Sequence, residues 1–137
     1  MITLDKQEKD LVILFSQDQI QNKIKEIADQ INKEFQGCDE LYVIGVLRGS
    51  VLFVSDLIRY LNLPVQLEFI RLASYGNEMT SSGKVKPVDL TLPSLANKNV
   101  LIVEDIVDTG LTANFLVDYI KMQHNAKKIK FATLLDK

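Results

Sequence analysis

One cysteine, Cys38, and one histidine, His124, are all that 137 residues hold of those two types, and tryptophan is absent. A lone thiol permits no internal disulfide, and one Cys with one His is too few for an ordinary zinc site. A reducing compartment is expected, and both residues read as structural or solvent-exposed. Long hydrophobic runs are missing too: none approaches the roughly 20 residues of a membrane-spanning helix. Met1 to Asp10 is polar and acidic rather than basic and then apolar, so no secretory signal is expected. These absences predict a cytoplasmic protein with no membrane partner. Charge of one sign is equally scarce, with 16 Lys and Arg against 18 Asp and Glu for a net charge of -2. A non-specific nucleic-acid binder needs a basic excess or stripe. Lys127, Lys128 and Lys130 are too short a cluster to make one and read as a solvated face. Neither the G-x-G-x-x-G of dinucleotide folds nor a Walker A loop is present. No linker, repeat or low-complexity segment divides the chain, so residues 1–137 read as one domain.

What is present is ordinary for a globular protein, 47% apolar and 25% charged, and its patterning alternates between two periods. Leu11 to Phe15 reads as a short first strand. Ser16 is placed as an N-cap with Gln19 three residues on, and Phe15 and Ile20 are spaced as a hydrophobic staple. Ile20, Ile24, Ile27, Ile31 and Phe35 follow at helical spacing until Gly37 ends the run, so this stripe is core. Leu41 to Val46 predicts a strand, Ser50 to Leu61 a helix, and Val65 to Leu72 a strand introduced by Pro64. Val100 to Val103 predicts another strand, Thr112 to His124 a helix, and Lys130 to Leu135 a last strand. Strands alternating with helices imply an α/β fold, a mostly parallel twisted sheet flanked by helices. Ser74 to Lys86, polar and glycine-containing, stands out as a mobile loop.

The chemistry concentrates in Val100 to Thr112. An apolar strand runs into Glu104 and Asp105, and Thr109, Gly110 and Thr112 follow in a turn that opens a helix. In open α/β sheets ligands sit outside the carboxyl ends of strands, where this acidic pair would stand. Unpaired N–H groups at a helix start hold phosphate, helped by a glycine that admits close approach and by hydroxyl donors. Two acids beside a phosphate cradle make sense if the ligand also carries vicinal hydroxyls and a divalent cation. A ribose phosphate with magnesium supplies both, and Glu104 and Asp105 would face the metal.

This stretch resembles the phosphoribosyl-pyrophosphate loop of the type I phosphoribosyltransferases. With Asp108 in Glu104-Asp105-Ile106-Val107-Asp108-Thr109-Gly110, it is similar to the form found in hypoxanthine (6-oxopurine) phosphoribosyltransferases. Leu47-Arg48-Gly49-Ser50 resembles the family's pyrophosphate loop, in which a non-proline cis peptide often precedes the residue matching Arg48. Ser74-Tyr75-Gly76 resembles its mobile loop, and Leu134-Leu135-Asp136-Lys137 the strand that ends in a purine-reading lysine. The matches run from about Leu41 to Lys137 in the family's order.

The resemblance implies the type I phosphoribosyltransferase fold and magnesium-dependent transfer of 5-phosphoribosyl from phosphoribosyl pyrophosphate to hypoxanthine or guanine, a purine-salvage reaction. Asp108 would be the general base at purine N7, its pKa raised by Glu104 and Asp105. Glu104, Asp105, Asp108, Thr109, Gly110, Leu111 and Thr112 would hold the phosphoribosyl group, and Arg48 and Gly49, with Ser50, the pyrophosphate. Ser74 and Tyr75 would close over the site, and Lys137 would donate to the 6-oxo group. A homodimer or homotetramer is expected by the same resemblance. The family's pattern continues for some forty residues past its Leu-Leu-Asp-Lys strand, so the C-terminal part of the base-binding hood is expected to be missing here. That leaves open a second class, a non-catalytic phosphoribosyl-pyrophosphate-binding or assembly module.

Overall fold

The computed structural model describes residues 15–73, 86–89, 91–107 and 111–136. In chain order the elements are α1 (Gln17–Glu34), β1 (Leu41–Leu47), α2 (Val51–Ile58), β2 (Val65–Ala73), β3 (Lys86–Asp89), β4 (Asn99–Val107), α3 (Leu111–His124) and β5 (Lys128–Asp136). The five strands form one sheet in the order β3-β2-β1-β4-β5. β1 pairs in parallel with β2 and β4, and β4 in parallel with β5, while β3 is antiparallel to β2. This is the mostly parallel, helix-flanked sheet that the alternating periods predict.

Both faces of the sheet are buried, which is why its central strands are continuous apolar runs. Leu41 and Val43 of β1 and Leu101 and Val103 of β4 pack with Ile24, Ile27 and Ile31 of α1 and Phe53, Val54 and Leu57 of α2. Their strand neighbours Ile44, Val46, Val100 and Ile102 point the other way, into a second cluster with Leu116 and Ile120 of α3. Successive residues along a strand face opposite sides, so each run supplies both cores at once.

α1 begins as its sequence predicts. Ser16 Oγ accepts from the Gln19 N–H at 3.1 Å, and Gln19 Oε1 accepts from the Ser16 N–H at 2.8 Å, a complete capping box. Gly37, beyond its end, has a φ of +84°, a conformation that glycine adopts without strain. Phe15 lies in a bend and is half-exposed; the strand expected over Leu11 to Phe15 otherwise falls outside the described residues.

Several boundaries differ from expectation. α2 ends at Ile58 rather than Leu61, because the Asn32 side chain donates to the Tyr60 carbonyl at 3.0 Å and accepts from the Asn62 N–H at 2.8 Å, drawing the chain out of the helix. β4 continues four residues past Val103 because its ladder with β5 runs on to Val107 opposite Asp136. Lys86, expected at the end of a mobile loop, lies in β3, whose Pro87 is tolerated on an edge strand. Lys128 and Lys130 are also more than a solvated face. Both reach Glu34 Oε1, at 3.2 and 3.0 Å, tying β5 to the end of α1, and Lys128 lies over the Phe35 ring.

Candidate functional site

From β1 the chain moves outward to β2 and β3, then returns to place β4 against the other side of β1 and β5 beyond it. The reversal point lies between β1 and β4, where doubly wound sheets open a crevice at the carboxyl ends of their strands. The crevice is visible in the register. β1 and β4 pair from Tyr42 opposite Val100 to Gly45 opposite Val103, while β1 stays with β2 through Leu47 and β4 stays with β5 through Val107. Beyond Gly45 and Val103 the two central strands part.

One wall is the loop after β1. The Leu47–Arg48 peptide is cis and not a proline bond, where the sequence resemblance implies one. Arg48 and Gly49 are exposed, and Ser50 is fully buried. Ser50 precedes the first residue of α2, yet its hydroxyl does not cap that helix and instead donates back to the Val46 carbonyl at 2.6 Å. A Ser that opens a helix usually reads as a cap, so nothing in the sequence signals this inward bond. Arg71 of β2, exposed, lies opposite Leu47 in the ladder, a cation beside this wall that the motif analysis passed over.

The other wall is the end of β4. Glu104 and Asp105 stand inside the strand rather than after it, with Glu104 opposite Thr133 of β5. Asp105 Oδ1 accepts the Ile106 N–H at 2.9 Å, and the Asp105 carbonyl accepts Thr133 Oγ1 at 3.4 Å. Glu104 Oε2 is buried and has no hydrogen-bond partner among the described residues. Burial, and then the adjacent Asp105 charge, raise the Glu104 carboxyl above its usual value. The walls meet where Gly49 lies against the Asp105 carboxylate: a Cβ on residue 49 would come within 2.7 Å of Asp105 Oδ2. Sequence inspection finds each residue but not their contact, which depends on strand register.

Asp108, Thr109, Gly110 and Lys137 lie outside the described residues, as do Ser74, Tyr75 and Gly76 of the expected mobile loop. Leu111 and Thr112 form the start of α3, so this helix opens next to the acidic strand end. Among the described residues no group of three or more His, Cys, Asp or Glu is placed to hold a metal ion. Two adjacent carboxylates, one with a buried unpartnered oxygen, still fit magnesium, which is commonly held by one or two protein carboxylates with the rest of its shell from water and substrate phosphate. No helix among the described residues is long and apolar enough to cross a membrane.

Comparison with known proteins agrees with this geometry. The chain is 40% identical over 125 residues to hypoxanthine-guanine phosphoribosyltransferase of Bacillus subtilis, covering 91% of this chain and 68% of that protein. It is 41% identical over 125 residues to the bifunctional protein TilS/HprT of Listeria innocua, covering 91% of this chain but only 19% of the relative. The chain thus spans about a fifth of the bifunctional relative and about two thirds of the shorter one. A crystal structure of a hypoxanthine-guanine phosphoribosyltransferase from Bacillus anthracis, with HEPES in its active site, superposes with a TM-score of 0.85 at 46% identity, over 92% of this chain and 73% of that one. The family model described as phosphoribosyl transferase domain matches residues 16–137, and with fold, crevice and relatives in agreement, the chain belongs to that family.

Proposed function

We infer that this chain carries the phosphoribosyl-pyrophosphate half of a purine-salvage active site, residues 1–137 forming one domain. The activity proposed is transfer of ribose 5-phosphate from phosphoribosyl pyrophosphate to N9 of hypoxanthine or guanine. The C1–oxygen bond to pyrophosphate breaks, the C1–N9 bond forms, and the proton on the purine imidazole ring goes to the Asp108 carboxylate. The supporting observation is the junction of the two walls, where Gly49 abuts Asp105 and Glu104 keeps a buried oxygen unpartnered.

In this reading Arg48 and Gly49 bind the pyrophosphate, the guanidinium facing its charge and the backbone approaching closely at the glycine. Thr109, Gly110, Leu111 and Thr112 hold the 5-phosphate at the N-terminus of α3, Leu111 through its N–H alone. Glu104 and Asp105 accept from the ribose hydroxyls and would hold Mg2+, whose charge, when bound, offsets that of the departing pyrophosphate. Ser74 and Tyr75 close over the site and exclude water, and Lys137 donates to the 6-oxo group, disfavouring adenine. A substrate with this many phosphates does not cross membranes unaided, which supports a cytoplasmic protein. Exposed Val51 and Leu52 on α2 suit a homodimer or homotetramer.

Nucleotide formation from hypoxanthine, phosphoribosyl pyrophosphate and magnesium tests the reading. Asp108→Asn should lower turnover by roughly tenfold or more while phosphoribosyl pyrophosphate binding stays within about threefold. An unchanged rate would remove Asp108 from the mechanism. Binding without turnover in the unsubstituted protein would instead identify a non-catalytic module.

A further inference from the structure

The loop after β1 is held from two sides. Behind it, the buried Ser50 hydroxyl donates to Val46, closing a span that contains Leu47, Arg48 and Gly49. In front stands Asp105. A Cβ at position 49 would lie 2.7 Å from Asp105 Oδ2, 2.9 Å from Oδ1 and 3.0 Å from Cγ, closer than carbon and oxygen pack. In glycine that direction is a Cα–H bond, so between the Gly49 Cα and the carboxylate there is room for a hydrogen but not for a carbon. Asp105 is fixed in turn by the Ile106 N–H on Oδ1 and by Thr133 on its carbonyl. Its neighbour Glu104 keeps an unpartnered oxygen.

We propose that Asp105 is a positioning residue: its carboxylate braces the Arg48–Gly49 backbone from β4 in the conformation that receives pyrophosphate, leaving Glu104 as the carboxylate that meets the ligand. The inference rests on the functional reading of Arg48 and Gly49, and it divides between two carboxylates a task which that reading assigns to both.

A double-mutant cycle on Gly49→Ala and Asp105→Ala tests it, read by thermal unfolding of the ligand-free protein and by calorimetric titration with inorganic pyrophosphate plus magnesium and, separately, with ribose 5-phosphate. Gly49→Ala alone should weaken pyrophosphate binding roughly tenfold or more, as small misplacements of binding groups do, and leave ribose 5-phosphate within about twofold. In the Asp105→Ala background, where the obstructing oxygens are gone, Gly49→Ala should cost neither pyrophosphate affinity nor melting temperature. Equal losses in both backgrounds would overturn the brace, because independent sites add. Equal weakening of the two ligands by Gly49→Ala would overturn it as well, since that marks general distortion. If the unsubstituted protein fails to bind pyrophosphate, the reading of the loop fails, while additivity or coupling in the melting temperatures still decides the contact. Should Gly49→Ala not fold, Asp105→Asn replaces it. The amide fills the same space and should keep pyrophosphate affinity within about threefold where Asp105→Ala loses roughly tenfold, and equal losses would overturn the proposal.

Discussion

Glu104 has a buried oxygen that no described residue satisfies, and that imbalance carries a pH signature. Its carboxyl, raised above the usual 4.5 by burial and by Asp105, binds a proton more tightly in the folded chain than in the unfolded one. Between the usual value and the raised one the folded state holds more protons, so stability falls as pH rises through that window. Glu104→Gln, which cannot ionise, should therefore melt higher than the unsubstituted protein at pH 7.5 in magnesium-free buffer, with the two converging near pH 4. Equal melting temperatures at pH 7.5 would show that the carboxylate finds a partner. The acidic pair was legible because two charges ending an apolar run are conspicuous. The Gly49–Asp105 contact and the inward turn of Ser50 were not, because each depends on which strand ends the sheet brings side by side.

Elements were legible to the degree that their reasons are local. α1 could be read down to its cap, since capping box, apolar stripe and terminal glycine all lie within the segment. Ser16→Ala should lower stability by about 0.5–2 kcal/mol, measured by denaturant unfolding, because it leaves the Gln19 N–H without its acceptor. No change would mean that the first turn frays without consequence. β3 shows the opposite case. Lys86-Pro87-Val88-Asp89 has neither alternation nor strand-forming bulk, and it becomes a strand only because β2 offers an edge. β4 was read short for a related reason: acids at 104 and 105 resemble a strand end, yet the neighbouring ladder of β5 carries the backbone on to Val107.

At the scale of the molecule, β5 is fastened to the end of α1 by an exposed charge cluster as well as by apolar packing. Hydrogen bonds from Lys130 and Lys128, with their positive charge, hold the Glu34 carboxyl below its usual 4.5. A lowered folded pKa contributes stability that is present above the usual value and lost as pH falls through the folded one. Glu34→Gln should accordingly melt lower than the unsubstituted protein at pH 7 and low salt, and the difference should fade below about pH 4 and in about 1 M salt, where screening is short-ranged. A difference that persists at pH 3 would place the effect in packing instead.

The parting of β1 and β4 beyond Gly45 and Val103 also has a mechanical side. Those strands share the shortest of the parallel ladders, so the sheet has a seam, with β1, β2 and β3 on one side and β4 and β5 on the other. In the proposed function, a molecule held by Arg48 and Gly49 from one side and by Glu104 from the other would act as a rivet across that seam. The shortest ladder of the parallel core is thus the line that such an occupant would fasten.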